Sequence, residues 1–327
     1  MNLPHTIHVH AGRTGSHLQG IALDGEKGHL YLSFTTCLLK TDLQGNILGS
    51  VEGLVGHLGC IAWNPHDRRL YASLEYKNDA IGSGILHNLG LQTTLQNGFY
   101  MTRFAVDRIT RLHMDAKADG VMDAVFLRQV LEDYTAPGHR YGCSGIDGCT
   151  FTDGRTLYVA YGIYDDVTRT DNDHQVLLRC DVSDWDAYAR PLDQDAMHDS
   201  GPQAAEKFFV YTGNTEYGIQ NLEYDGEQEV MLAAVYPGQK KEFPNYSLFF
   251  IDARRREGER MFLTDFAGHD DHRFCGSHFP YGSTGLCCLG GGDYYIGHDL
   301  FDGAERGARV ELWHLDTEEL TFYRVEG

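Results

Sequence analysis

Short apolar runs separated by tight polar turns recur along this chain, and the spacing predicts strands with no helix among them. In the stretch Gly56 to Tyr76, the run Cys60-Ile61-Ala62-Trp63 meets a turn of Asn64, Pro65 and Asp67, and the run Leu70-Tyr71-Ala72-Ser73-Leu74 follows. Two short strands joined by turn residues make a hairpin. The pattern returns in HLQGIALDGEKGHLYLSF from His17, SGIDGCTFTDGRTLYVAY from Ser144, YGIQNLEYDGEQEVMLAAVY from Tyr217 and YGSTGLCCLGGGDYYIGH from Tyr281, giving five copies. Repetition at this interval points to a repeat architecture.

A second mark follows each hairpin: an apolar run ending in Asp, at Asp42, Asp107, Asp181, Asp252 and Asp316. Asp there can accept from the backbone two residues on and start the next turn. Fourth strands are then expected at Asn46 to Val51, Ala124 to Val130, Glu206 to Tyr211, Arg260 to Leu263 and Leu320 to Val325. Four strands in each of five repeats predict an all-β, five-bladed β-propeller with four-stranded antiparallel blades, the alternative being a β-sandwich. The expected layout is one domain over 1–327, with blades at about 17–53, 54–138, 139–213, 214–280 and 281–327 and a ring-closing strand at 5–11.

Insertions single out one face. Turns between the first two strands of each repeat are tight, whereas Lys77 to Asn97, Tyr164 to Asp173, Pro237 to Asn245 and Asp299 to Ala308 lengthen the joint between the second and third strands. In a propeller those joints share a face with the loops between blades, and loops on a rigid scaffold carry function. The cavity that matters is expected there.

Alignment of the hairpins places Gln19, Gly59, Asp147, Gln220 and Thr284 at one position near the axis, preceded by His17 and His57 in the first two repeats and by Tyr141, Tyr217 and Tyr281 in the others. Such a polar ring either holds a ligand or ion or bonds within itself and to trapped water. Asp147 is the only acid at its position, and its neighbours Gly145 and Gly148 free the loop backbone. Glu223 stands where the other repeats have Ala22, Ala62, Thr150 and Cys287. A carboxylate among small residues is either partnered or raised in pKa. Glu75 is expected just past the end of a second strand, where the chain turns onto the decorated face. For a divalent metal the candidates are His298 at the end of the last hairpin, His269 and His272 in the loop GHDDHRFCGSH, and the alternating pair His8 and His10.

Charge and composition narrow the picture. With 27 basic against 47 acidic residues, a balance of −20, nucleic acid and anionic membrane are poor partners. No leader or membrane-spanning run is visible, so the expected location is cytoplasmic. The eight cysteines show no CxxC pair, and of them Cys143 and Cys149, flanking a Gly-rich loop, suit a redox test. Dinucleotide, phosphate-loop and serine-elbow motifs do not occur.

By blade number the repeats, such as GHLGCIAW with RRLYASLEY, resemble the five-bladed arabinanases and related glycosidases, which set carboxylates around an axial pocket. The chain departs from them at Ile21-Ala22-Leu23, which carries no acid before Asp24. The resemblance implies a carbohydrate-active enzyme that cleaves a small neutral saccharide. In that reading Asp147 and Glu223 are acid and base, while Gln19, Glu75, Gln220, Asn221, Thr284 and the three tyrosines bind the sugar. No cofactor, or one divalent metal, goes with it. A His- or metal-dependent lyase or lactonase using His17 and His57, and a non-catalytic binding propeller, are the alternatives.

Overall fold

The computed structural model describes residues 3–12, 16–139, 145–162, 165–203 and 205–327. After an edge strand β1 (Thr6–Gly12), the first meander runs through β2 (Leu18–Asp24), β3 (His29–Phe34), β4 (Cys37–Asp42) and β5 (Ile47–Glu52). The second comprises β6 (His57–Asn64), β7 (Arg69–Tyr76), β8 (Gly98–Phe104) and β10 (Met122–Phe126), with β9 (Met114–Asp115) leaving it to pair in parallel with β5. The third is β11 (Gly148–Phe151), β12 (Thr156–Gly162), β13 (His174–Asp181) and β14 (Glu206–Tyr211); the fourth is β15 (Thr215–Asp225), β16 (Val230–Pro237), β17 (Leu248–Glu257) and β18 (Arg260–Leu263). β19 (Gly276–Ser277) adds to β17, and the chain ends with β20 (Leu286–Gly290), β21 (Asp293–Phe301), β22 (Arg306–Asp316) and β23 (Thr321–Arg324).

The innermost strands β2, β6, β11, β15 and β20 lie against one another in cyclic order, β20 returning to β2. That closure defines a β-propeller. Hydrophobic clusters fill the wedges between successive meanders: Tyr31, Leu58 and Leu74 between the first and second, Cys149, Val159 and Tyr71 between the second and third. Others centre on Ile219 and Phe249, on Leu232 and Ile296, and on Leu18 with Tyr295. β1 and β23 share one edge of β22 end to end, β1 along Arg306–Glu311 and β23 along Trp313–Asp316. The ring-closing strand thus extends over Thr6–Gly12 and locks onto the last meander.

Turn chemistry explains why the hairpins repeat. Asp24, Asn64, Asp153 and Asp225 each accept from backbone N–H groups two or three residues on, closing the turn between the first and second strands. The fifth turn relies on Gly290, Gly291 and Gly292, all at positive φ. Asp42, Asp181, Asp252 and Asp316 close their turns the same way, as expected. Asp107 does not; it lies in a single 3-10 turn and pairs with Lys27 at 2.5 Å.

Two expectations need correction. The Lys77 to Asn97 insertion holds helix α1 (Ala80–Asn88), whose N-cap Asp79 accepts from Ile81 and Gly82 N–H. The strand expected up to Val130 stops at Phe126, and Arg128–Thr135 forms a second helix, α2. Its amphipathic character, Val130 and Tyr134 inward against polar Gln129 and Glu132, was masked by its shortness. Finally, at the axis described side chains meet one another. There Cys60 Sγ stands 3.6 Å from Asn221 Oδ1, and Asn221 Nδ2 donates to the carbonyls of Gln19 and Ser283.

Candidate functional site

The innermost strands begin at a mouth on the face that carries both helices. Tyr134 of α2 donates its hydroxyl to Asp79, the cap of α1, so the two insertions lie together. Strand alternation builds the floor of this mouth. Ser73 and Glu75 alternate on one side of β7, and Lys77 continues that spacing just past its end, while Leu74 and Tyr76 face a core. His57 of β6 is the register partner of Glu75 across the strand pair. The loop before β11 brings Asp147 over both.

The result is a compact group of charges. Lys77 Nζ lies 2.7 Å from Glu75 Oε1, and His57 Nδ1 lies 3.3 Å from Asp147 Oδ1 and 3.8 Å from Glu75 Oε1. The other oxygen of Glu75 accepts from Ile146 N–H at 2.9 Å. Glycine at 59 and 145 is required here. A methyl group at either position would collide with the Asp147 carboxylate, at 59 also with Ser73 Oγ, and at 145 also with Glu75. Burial raises the Glu75 pKa, opposed by Lys77. Burial would raise Asp147 too, but His57 and Lys77 outweigh it and hold that carboxyl below its ordinary range. For His57 burial works downward, yet Asp147 and Glu75 leave the imidazole pKa raised.

Above this floor opens a cavity of about 410 Å³, lined by His17, His57, Thr35 and Arg306 on one side and by Ile81 and Ile85 of α1 on the other. Burial, reinforced by repulsion from His57, lowers the pKa of His17. Its Nε2 meets Gln19 Nε2 at 3.0 Å, and Gln19 also donates to Thr35. Arg306 pairs with Asp299, which accepts from Leu18 N–H, tying the last meander to the first. The mouth cavity is smaller than one of about 650 Å³ at the rim between β14 and β18, lined by His174, Tyr211 and Arg260.

The remaining predicted residues scatter. Glu75 is not past the end of its strand but inside β7 and 2 % exposed. Gln220 bonds Tyr217 O, and Thr284 donates to Gly297 O. Tyr217 is exposed at positive φ against Tyr236, while Tyr281 packs edge-on to His298 and near Trp313. Tyr141 and Cys143 lie outside the described residues. Glu223 sits lower on β15, where its Oε1 accepts from Cys288 N–H at 2.7 Å and burial pushes its pKa up to about 8. Its residue surface is only half-buried while protein atoms crowd its carboxyl on all sides; the local crowding sets the direction of the shift.

Among the described residues, only His57, Glu75 and Asp147 bring three ligating atoms within 4.8 Å of one another. His298, His269 and His272 do not belong to that group. His298 pairs with Glu311 at 3.0 Å, His269 with Asp265 at 2.5 Å, and His272 packs its ring against Tyr211 and Phe243. His8 and His10 are exposed on β1. Sequence reasoning missed Lys77 and Ser73, although the i, i+2, i+4 spacing of Ser73, Glu75 and Lys77 beside an apolar face was there to be read.

No family model and no curated protein matches the chain. Among solved structures, "Structure of U3-55K" is similar over 98 % of this chain and 84 % of that one, at 10 % identity and a TM-score of 0.42. "Crystal structure of RRP9 WD40 repeats" is similar at the same identity and TM-score, over 98 % and 82 %. The saccharide-cleaving expectation, with its sugar partner, is corrected on where its two carboxylates lie. Its acid and base do not form a pair: Asp147 belongs to the charged floor of the mouth, whereas Glu223 is bonded to the backbone of the last meander. No helix among the described residues is long and apolar enough to cross a membrane.

Proposed function

We propose that the chain is a single five-bladed domain that acts as a non-catalytic binding propeller and meets its partner on the face carrying α1 and α2. The observation that carries this reading is the engagement of each candidate acid. Glu75 is ion-paired with Lys77, Asp147 with His57, and Glu223 bonds a strand N–H. Glycoside cleavage by an acid and a base needs two carboxyl groups facing the same reacting bond, and these are each engaged elsewhere. The balance of −20 favours a protein partner with a positively charged surface, met by electrostatic attraction.

Two measurements test it. A screen of chromogenic glycosides and lactones should give no turnover above that of the Asp147→Asn variant; turnover lost in that variant would return the site to catalysis. Binding of a Lys-rich peptide, followed by fluorescence anisotropy, should weaken steeply with salt and fall further when Ile81 of α1 and Leu89, its C-cap, are changed to Lys. Salt-independent binding, or no binding at low salt, would overturn the partner assignment.

A further inference from the structure

The floor of the mouth is balanced in charge but not in hydrogen bonds. His57 Nδ1, Lys77 Nζ, Asp147 Oδ1 and Ser73 Oγ are all buried without a well-directed partner, although ion-pair contacts of 2.7 Å and 3.3 Å run among them. Buried polar groups left in this state lose hydrogen bonds that water would otherwise supply. Four of them around one point are a liability unless something else completes them. Ser73 is 1 % exposed and Asp147 7 %, and both aim an oxygen at the same spot above Gly59, the residue whose missing side chain lets them approach.

We propose that this floor binds one divalent transition-metal ion through His57 Nδ1, Asp147 Oδ1 and a Glu75 oxygen. Ligands about 2.0–2.2 Å from a tetrahedral zinc ion stand about 3.3–3.6 Å from one another. The separations of 3.3 Å and 3.8 Å between His57 Nδ1 and the two carboxylates match that arrangement with little movement. One nitrogen and two carboxylate oxygens form a donor set for zinc and its neighbours in the series. Lys77 shares Glu75 with the ion and offsets one of the two negative charges. Of the three ligands, His57 also lines the cavity above. The site does not depend on what binds the face above it.

The test uses the full-length protein, stripped with chelator and titrated with Zn²⁺ by calorimetry, and with Co²⁺ as a spectroscopic probe. Wild type should bind one equivalent, with visible Co²⁺ absorption of tetrahedral strength. His57→Gln and Asp147→Asn should each weaken binding at least tenfold while their circular dichroism stays native. If a ligand variant fails to fold, Lys77→Met decides: with the competing ammonium gone it should bind Zn²⁺ more tightly than wild type, and added Zn²⁺ should raise its melting temperature. Failure of wild type to bind either ion, or undiminished binding in the ligand variants, would overturn the site, as would Lys77→Met binding no more tightly than wild type.

Discussion

Glu75 on β7 and Glu223 on β15 are both enclosed carboxylates whose pKa burial raises, yet only the first has a cation beside it. At the mouth, Glu75 has an ammonium 2.7 Å away, an imidazole at 3.8 Å and a backbone N–H at 2.9 Å. Further down the axis Glu223 has one N–H, from Cys288, and its other named neighbours are Cys60 and Asp225, each of which adds to the rise in its pKa. Burial is common to both; a cation is not. Both pKa values are raised, but the first carboxylate belongs to an ion-paired group and the second has no cation to oppose its burial. Enclosure alone does not tell the two apart; the cation beside one of them does.

The sharpest way to break that contrast is to remove the cation. Lys77 is 2 % exposed, so Lys77→Met leaves Glu75 and Asp147 facing each other with only His57 to offset them. Breaking a buried pair by removing one partner costs about 3–5 kcal/mol. Chemical denaturation in metal-free buffer should show a loss of that order. A loss below about 1 kcal/mol would mean that Lys77 does not stabilise the mouth.

Glu223 responds to pH instead. Its folded pKa of about 8 lies above the usual glutamate value, so the folded state holds a proton that the unfolded chain releases near pH 4.5. The contribution is fully present below that unfolded value and is lost as pH rises through about 8. Each unit of separation is worth about 1.4 kcal/mol; allowing for the water that still reaches this half-buried residue, the whole term is on the order of 2–4 kcal/mol. Glu223→Gln keeps an oxygen for Cys288 and cannot ionise, so the difference in stability between variant and wild type should widen from pH 5 to pH 9 in favour of the variant. A constant difference across that range would show that Glu223 is not neutral in the fold.

Much of the fold could be read from the chain because it depends on local signals. Asx-type turns at Asp24, Asn64, Asp153 and Asp225 recur at each hairpin, and the apolar runs between them are strand-length. The helices escaped because α1 and α2 are inserts of 9 and 8 residues, little over two turns each, whose stability comes from packing on the mouth and on α2's Asp133, which accepts from Tyr161 and Lys207. The site was legible residue by residue but not as a group. His57, Glu75 and Asp147 were each named, and their convergence depends on strand register and on a loop path that no spacing encodes. Aligning repeats gave equivalent places, whereas Glu223 and Asp147 differ in depth along the axis.

The smallest effect belongs to the His-rich loop, whose sequence looked most like a metal site. His269 pairs with Asp265 across one turn of loop, but its side chain is 63 % exposed, and Asp265 already accepts the N–H groups of Ala267 and His269. An exposed pair of this kind is worth about 0.2–1 kcal/mol, because water solvates either partner when the other is removed. His269→Ala should therefore lower stability by no more than that in metal-free buffer and should leave Zn²⁺ and Co²⁺ affinity unchanged, since the backbone contacts that shape the loop survive. His272 is held differently, its ring edge-on to Tyr211 and Phe243 at 5.1 Å and 4.9 Å, so it serves packing and points away from any joint ligation with His269. A fall in metal affinity in His269→Ala would move the ion from the mouth to this loop and undo the contrast between a buried, compensated cluster and a solvated one.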